Sequence, residues 1–356
     1  MHGGNIRGLT EKYNLKDKGF IDFSSNINPL GFPKGLKKII ADNLESISYY
    51  PDIESKVIKN ALFRHLNIHT DNLLIGNGSI ELIFLITQAL IPKKALIPIP
   101  NFSEYERALN LARTNNIFLK LSEKNNFQLN LDEVLIRLSG VNLIFLSNPN
   151  NPTGALIDKA SMEILIKECE KRKVFLVIDE AFMDFVQGGD RISMLESAVR
   201  SKYVLVLQSM TKFFALAGLR LGFLAGEKKL IKKITSYQPP WSVNSLAQAA
   251  GARVIQDTFF IKKSREYLFK ERKYLFRELR AIDSLKTYTP NSNFIFCKIL
   301  NKKTNSTSLF DSCARKGIFI RDCSNFRGLN NSFIRVAIRK RDENNKLIKT
   351  LKEILP

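Results

Sequence analysis

Cysteine and histidine are scarce in this chain. Cys169, Cys297, Cys313 and Cys323 are widely separated, with no CxxC pair and no histidine close by. That spacing argues against zinc ribbons and disulfide frameworks, which need clustered ligands or paired thiols. His2, His65 and His69 are too few for a His-rich centre, so no metal site is expected. Long apolar runs are missing as well. The most hydrophobic stretch, residues 73–91, carries Asn77, Glu81 and Gln88, which argues against a membrane span. The opening MHGGNIR lacks the apolar core of a secretory signal. The expectation is a cytoplasmic protein with reduced thiols and no membrane partner.

What is present is ordinary for a globular enzyme: 356 residues, 44% hydrophobic and 25% charged. The charge balance is less ordinary. Lys and Arg number 55 against 34 Asp and Glu, a net +21. Such an excess raises nucleic acid, an anionic membrane or small anionic ligands as partners. No helix-turn-helix, RRM or zinc-finger signature accompanies it, and the lysines are dispersed, so no nucleic-acid partner is expected.

Six short apolar runs read as strands buried on both faces: 95–99, 117–121, 143–147, 174–178, 203–207 and 221–225. Helical patterns such as 103–114 and 159–172 lie between them. This alternation predicts an α/β fold with a mainly parallel central sheet. After Pro239-Pro240 the texture changes. Residues 244–282 read as long helical material, 293–299 and 332–338 as strands, and 342–354 as a closing helix. The division expected is an arm over 1–40, a large domain over 41–245 and a smaller α+β domain over 246–356.

Four segments carry chemistry. Gly76-Asn77-Gly78-Ser79 falls between a strand and a helix, where glycines admit an anion to free helix N–H groups. Alone, it is equally a plain strand-to-helix turn. Ser147-Asn148-Pro149-Asn150-Asn151-Pro152-Thr153-Gly154 is a stiff extended loop after a strand, placed where open α/β sheets bind ligands. Asp179 closes an apolar strand and needs a cationic or protonated partner there. Lys212, in Ser209-Met210-Thr211-Lys212, follows another strand, with Arg220 soon after. In so basic a chain a single such lysine reads first as a surface charge. Together the segments supply an anion cradle, an oriented amide, a carboxylate for a ring nitrogen, an amine for a Schiff base and a phosphate-binding Arg. Those are the parts a pyridoxal 5'-phosphate site requires.

The order GNGS…NPNNPTG…DEAF…SMTK…GLRLGF resembles the fold-type I, aspartate-aminotransferase-like enzymes that use pyridoxal 5'-phosphate, over essentially the whole chain. The resemblance implies the fold-type I transferase fold and a catalytic Lys212 that holds the cofactor as a Schiff base. It also implies that Asp179 pairs with the ring nitrogen, Asn151 with the 3-oxygen, and that Phe102 covers the ring. Gly78, Ser79, Ser209 and Arg220 then take the phosphate. Tyr50 matches the tyrosine that reaches a neighbouring subunit's cofactor, which implies a homodimer with shared active sites.

Two branches compete: threonine-phosphate decarboxylases of cobalamin synthesis and histidinol-phosphate aminotransferases. The decarboxylase branch is the nearer by His2-Gly3-Gly4-Asn5-Ile6-Arg7, by the segment Asp22 to Gly31, and by Phe182, where the aminotransferases carry Tyr. Pro240 to Asn244, Ile320 to Cys323 and Ile334 to Arg339 support it. The branch implies a small phosphorylated amino-acid substrate. His2, Gly3, Asn26, Asn151, Arg321 and Arg335 would contact it, with Arg335 on the carboxylate and Arg321 and His2 on the phosphate. Asp322 departs from the pattern, which has a small hydroxyl residue there. It sets an acid beside an anion ligand.

Overall fold

The computed structural model describes residues 3–15 and 19–355. His2 lies outside the described residues. Among the described residues thirteen strands follow one another: β1 Ile21–Asp22, β2 Leu73–Asn77, β3 Lys94–Ile99, β4 Asn115–Lys120, β5 Leu143–Ser147, β6 Phe175–Asp179, β7 Val204–Ser209, β8 Leu221–Ala225, β9 Leu285–Thr287, β10 Phe294–Ile299, β11 Ile318–Phe319, β12 Arg321–Asp322 and β13 Phe333–Ala337. Seven form one sheet in the order β2-β8-β7-β6-β5-β3-β4. β8 runs antiparallel to both its neighbours, and the other pairings are parallel. The fold class expected from the strand-helix alternation is therefore the one observed. The six sequence-predicted strands occur within two residues of their expected bounds.

The near-continuous apolar strands divide their side chains between two faces, as a period of two requires. Phe145, Val177, Leu205 and Leu207 join Leu82, Ile86 and Tyr105 in a core beneath the helices Gly78–Leu90 and Ser103–Leu111. Ile144, Leu176, Ile178, Val204 and Val206 face the opposite way, against Leu165 and Ile166 of the helix Lys159–Arg172. Each such side chain taken fully out of water contributes about 1.5–3 kcal/mol. Stretch 73–91 proves to be β2 followed by a helix. Among the described residues no helix is long and apolar enough to cross a membrane.

The helical material expected over 244–282 is two helices, Ser245–Val254 and Thr258–Arg280. They part at Asp257, whose side chain accepts from the Phe260 N–H and caps the second. The antiparallel sheet β12-β13-β10-β9 follows. The N-terminal segment is woven into this part of the molecule. β1 pairs in parallel with β11, and the Ala337 N–H donates to the Phe23 carbonyl at 2.8 Å. Residues 24–28 are thereby carried to the junction of the two sheets.

Candidate active site

The C-terminal ends of the parallel strands converge on a cavity of about 430 Å³. Eleven of the sequence-predicted residues line it: Gly3, Asn26, Ser79, Phe102, Asn151, Asp179, Ser209, Lys212, Arg220, Arg321 and Arg335. Strand register explains the convergence. Ser147 pairs with Asp179 across β5–β6, so the Asn-Pro loop opens beside that carboxylate. Gly222 pairs with both Ser209 and Gly76, which brings the GNGS turn, the SMTK turn and Arg220 together.

Gly78 belongs to the same cradle. Its φ is +74°, and a Cβ there would lie 2.6 Å from Arg220 Nη2. The glycine is needed for its conformation and for the close approach of the guanidinium. Gly222 is required for close approach alone: a Cβ would meet the Ser79 amide nitrogen at 2.6 Å. Arg220 itself has φ +60°, a strained state for a non-glycine residue of the kind that collects at binding sites. Gly78→Ala is expected to fold but to displace the Arg220 guanidinium. It should weaken cofactor binding about tenfold, measured as the Kd for added pyridoxal phosphate.

Asp179 is buried. Its Oδ2 accepts from the Tyr105 hydroxyl at 2.5 Å and its Oδ1 from the Ala181 N–H at 2.9 Å. Burial pushes its carboxyl up, opposed by these two hydrogen bonds and by Lys212. Lys212 sits in the short helix Met210–Phe213, whose backbone is tied to Asn28: the Lys212 carbonyl accepts from the Asn28 N–H at 3.1 Å and the Phe213 carbonyl from Asn28 Nδ2 at 2.8 Å. Burial lowers its ammonium to about 8, helped by Arg335 and Arg220.

Arg321 and Arg335 are cross-strand partners on β12 and β13, and both are buried. Arg321 Nη2 donates to Asn325 Oδ1 at 2.8 Å, and its guanidinium lies 5.0 Å from the Phe326 ring centroid. Arg335 donates to Asn151 Oδ1 and, at 2.9 Å, to the Ser24 carbonyl. Among the described residues neither forms an ion pair with a carboxylate. Burial lowers both guanidinium pKa values, Arg335 to about 10. Asp322 does not neutralise them. Its carboxylate accepts from Ser306 Oγ at 2.7 Å, Thr307 Oγ1 at 2.9 Å and the Ser324 N–H at 2.8 Å. Burial raises its carboxyl, and those bonds outweigh it and hold it low. The departure noted in the sequence is thus turned away, toward the start of the helix Ser306–Arg315.

The N-terminal segment is held by its own hydrogen bonds. Asp22 accepts from the Ser24 N–H and hydroxyl and from Ser25, and Ser24 Oγ accepts from the Gly4 N–H at 3.0 Å. A Cβ on Gly3 would sit 2.4 Å from the Ser24 carbonyl oxygen. Tyr50 is not on the cavity. It is 80% exposed and stacks on Trp241, with ring centroids 4.5 Å apart.

Sequence reasoning passed over Tyr105, Thr211 and Phe326, which also line the cavity. Tyr105 had a visible signal. It stands three residues after Phe102, on the same helical face, so a phenol there points inward with its hydroxyl in need of a partner.

The site also fits a pyridoxal phosphate cofactor by what it leaves unsatisfied. Among the described residues, Asn26 Oδ1 and Arg335 Nε are buried without hydrogen-bond partners. The half-buried Lys212 faces a cavity ringed by Arg220, Arg321 and Arg335. Buried polar atoms without partners are rare unless a ligand completes them. Among the described residues no group of three or more His, Cys, Asp or Glu is placed to hold a metal.

The aminotransferase class I and II family model matches residues 18–351. The chain belongs to that family. A threonine-phosphate decarboxylase of Salmonella typhimurium is 33% identical, over 99% of this chain and 96% of its own. A protein of Caldanaerobacter subterraneus subsp. tengcongensis, given the same description provisionally, is 38% identical over 99% and 93%. The crystal structure of the histidinol-phosphate aminotransferase from Clostridium acetobutylicum superposes with a TM-score of 0.87 at 32% identity, covering 93% of this chain and 98% of that one. Membership in the family brings with it the fold-type I architecture and pyridoxal 5'-phosphate as cofactor.

Proposed function

We propose that this protein decarboxylates L-threonine O-3-phosphate to (R)-1-amino-2-propanol O-2-phosphate, the linker for the cobalamin nucleotide loop. The observation that carries the reading is the pair of buried guanidiniums, Arg321 and Arg335, opposite each other on β12 and β13 and without carboxylate partners among the described residues. Buried charges of one sign persist when a ligand of the other sign completes them. Two adjacent planar forks suit one small molecule carrying a phosphate and a carboxylate. Relatives described as threonine-phosphate decarboxylases at 38% and 33% identity support it.

Lys212 would hold the cofactor, with Asp179 at its ring nitrogen and Asn151 Nδ2 at its 3-oxygen. Asn151 Oδ1 is already committed to Arg335, so the amide is held with its donor side free. Ser79, Ser209, Arg220 and the Gly78 backbone would take its phosphate, and Phe102 would cover one face. Bound there, pyridoxal phosphate supplies a ring that accepts the electron pair released when a bond to Cα breaks. What the chain contributes is orientation. Arg335 would draw the carboxylate and Arg321 and His2 the substrate phosphate, so these side chains would set which bond to Cα is presented to the cofactor. Gly3 and Asn26 close the site from the N-terminal side. The Lys212 amine, with its pKa near 8, can hold and return a proton at Cα.

A second reading, histidinol-phosphate aminotransferase, is favoured by the superposition on the Clostridium acetobutylicum structure. Phe182 weighs against it. It lines the cavity and packs edge-on to Phe294 at 5.2 Å, so an apolar edge stands where that enzyme places a tyrosine hydroxyl. The protein loaded with pyridoxal phosphate is expected to release carbon dioxide from threonine phosphate without any keto acid. Absence of release, with 2-oxoglutarate-dependent turnover of histidinol phosphate, would reverse the assignment.

The assembly belongs to the same proposal. Tyr49, Tyr50, Ile47, Ile53 and Trp241 are exposed large apolar side chains, suited to cover by a second copy. Tyr50 would then reach the other subunit's cofactor. Four free, buried and unpaired cysteines suit a reducing, cytoplasmic setting.

A further inference from the structure

Asp179 has two carboxylate oxygens and one fixed side-chain donor. The backbone N–H of Ala181 takes Oδ1, and the Tyr105 hydroxyl donates to Oδ2 at 2.5 Å. Tyr105 has little freedom to do anything else. It is fully buried, its ring stacks on Phe145 at 4.9 Å with 2° between planes, and Phe102 meets it edge-on at 5.7 Å. The helix Ser103–Leu111 supplies the phenol, while the carboxylate comes from the end of β6. One hydrogen bond therefore ties the helix to the carboxylate at the end of β6.

We infer that Tyr105 is a positioning residue that keeps the Asp179 carboxylate charged and aimed at the cofactor's ring nitrogen. The inference rests on the pyridoxal phosphate reading of the site and names a residue that reading had not used. The physical need is clear. Burial favours the neutral acid, and a neutral Asp179 would have no charge to offer a protonated ring nitrogen. A donated O–H stabilises the anion. The other groups facing Asp179 are few. Lys212, from the helix Met210–Phe213, also favours the charged form. Glu180, next in the chain, is engaged elsewhere by Ser193 Oγ, Gln208 Nε2 and the Met194 N–H at 2.5, 2.9 and 2.8 Å.

Tyr105→Phe keeps the ring and its stacking and removes the hydroxyl that donates to Asp179 and also meets the Ser147 side chain, so the variant is expected to fold. Its kcat should fall about tenfold, the loss expected for one hydrogen bond to a charged group. Without the donor Asp179 takes up a proton at higher pH. The acid limb of the kcat profile should therefore move upward, and the visible absorbance of the bound cofactor should titrate with it. In an Asp179→Asn background the same change should add nothing, because the group it acts through is gone. An unmoved acid limb and absorbance titration in Tyr105→Phe would overturn the inference, as would an equal tenfold loss in the Asp179→Asn background. Wild-type protein that takes up no pyridoxal phosphate would instead overturn the reading beneath it.

Discussion

Lys212→Ala is expected to abolish both turnover and the visible absorbance of the protein with bound pyridoxal phosphate. Removing a group proposed to make the covalent link and move the proton should cost at least about 10³-fold in rate. The local structure explains why this lysine is suited to the role. The Asn28 side chain and backbone fix the short helix that carries it. Burial, Arg335 and Arg220 together bring its ammonium down to about 8. At pH 7 roughly a tenth of such amines are unprotonated, against fewer than about one in a thousand for an ordinary lysine. The neutral amine is the nucleophile, so capture of pyridoxal phosphate by the cofactor-free protein should speed up with pH and level off above about 8. Capture that keeps rising in proportion to hydroxide up to pH 10 would show that the lysine is not depressed. Turnover by the alanine variant would remove Lys212 from the mechanism.

The second large effect belongs to Arg321→Met. The guanidinium is buried, and its side-chain partner, Asn325, is exposed and can turn to water. Truncating one member of a buried charge pair costs about 2–5 kcal/mol of binding. For threonine phosphate, kcat/KM should therefore fall by about 10²–10³-fold, chiefly through KM. Cofactor affinity and the visible spectrum should stay as they are. Ligand-free stability should move the other way. Replacing a buried, uncompensated charge by an apolar side chain of similar length is often stabilising, and a gain of about 1 kcal/mol raises Tm by about 2 °C in a chain of this size. Kinetics with the phosphorylated substrate and a thermal melt without it test both halves. A variant that loses stability and keeps its kcat/KM would make Arg321 a structural residue rather than a ligand.

The two arginines also show how far the sequence reading reached. Arg321 and Arg335 could be singled out only through the resemblance of their segments to the decarboxylase branch. That they stand directly opposite each other follows from the β12–β13 register, which no local pattern encodes. Asp322 illustrates the same limit. As a neighbour in sequence it threatened the anion pocket, yet alternation along the strand sends its carboxylate to Ser306 and Thr307. Tyr105 was legible only in part. Its spacing from Phe102 places it on the inner helical face, but its partner is 74 residues away on another strand.

The sequence by itself determined the α/β class, the strand positions, and the residue types at the four chemical turns. Those depend on local hydrophobic periodicity and turn chemistry, which act over a few residues. Only the tertiary structure decided how those turns meet: the register around Gly222, the antiparallel turn of β8, and the N-terminal segment laid against β11 and β13. Pairing between distant strands sets those distances. The +21 charge is the clearest case. Composition could say only that anions are welcome. The fold gathers Arg220, Arg321 and Arg335 around Lys212 in one cavity, and that placement turns a surplus of charge into a site.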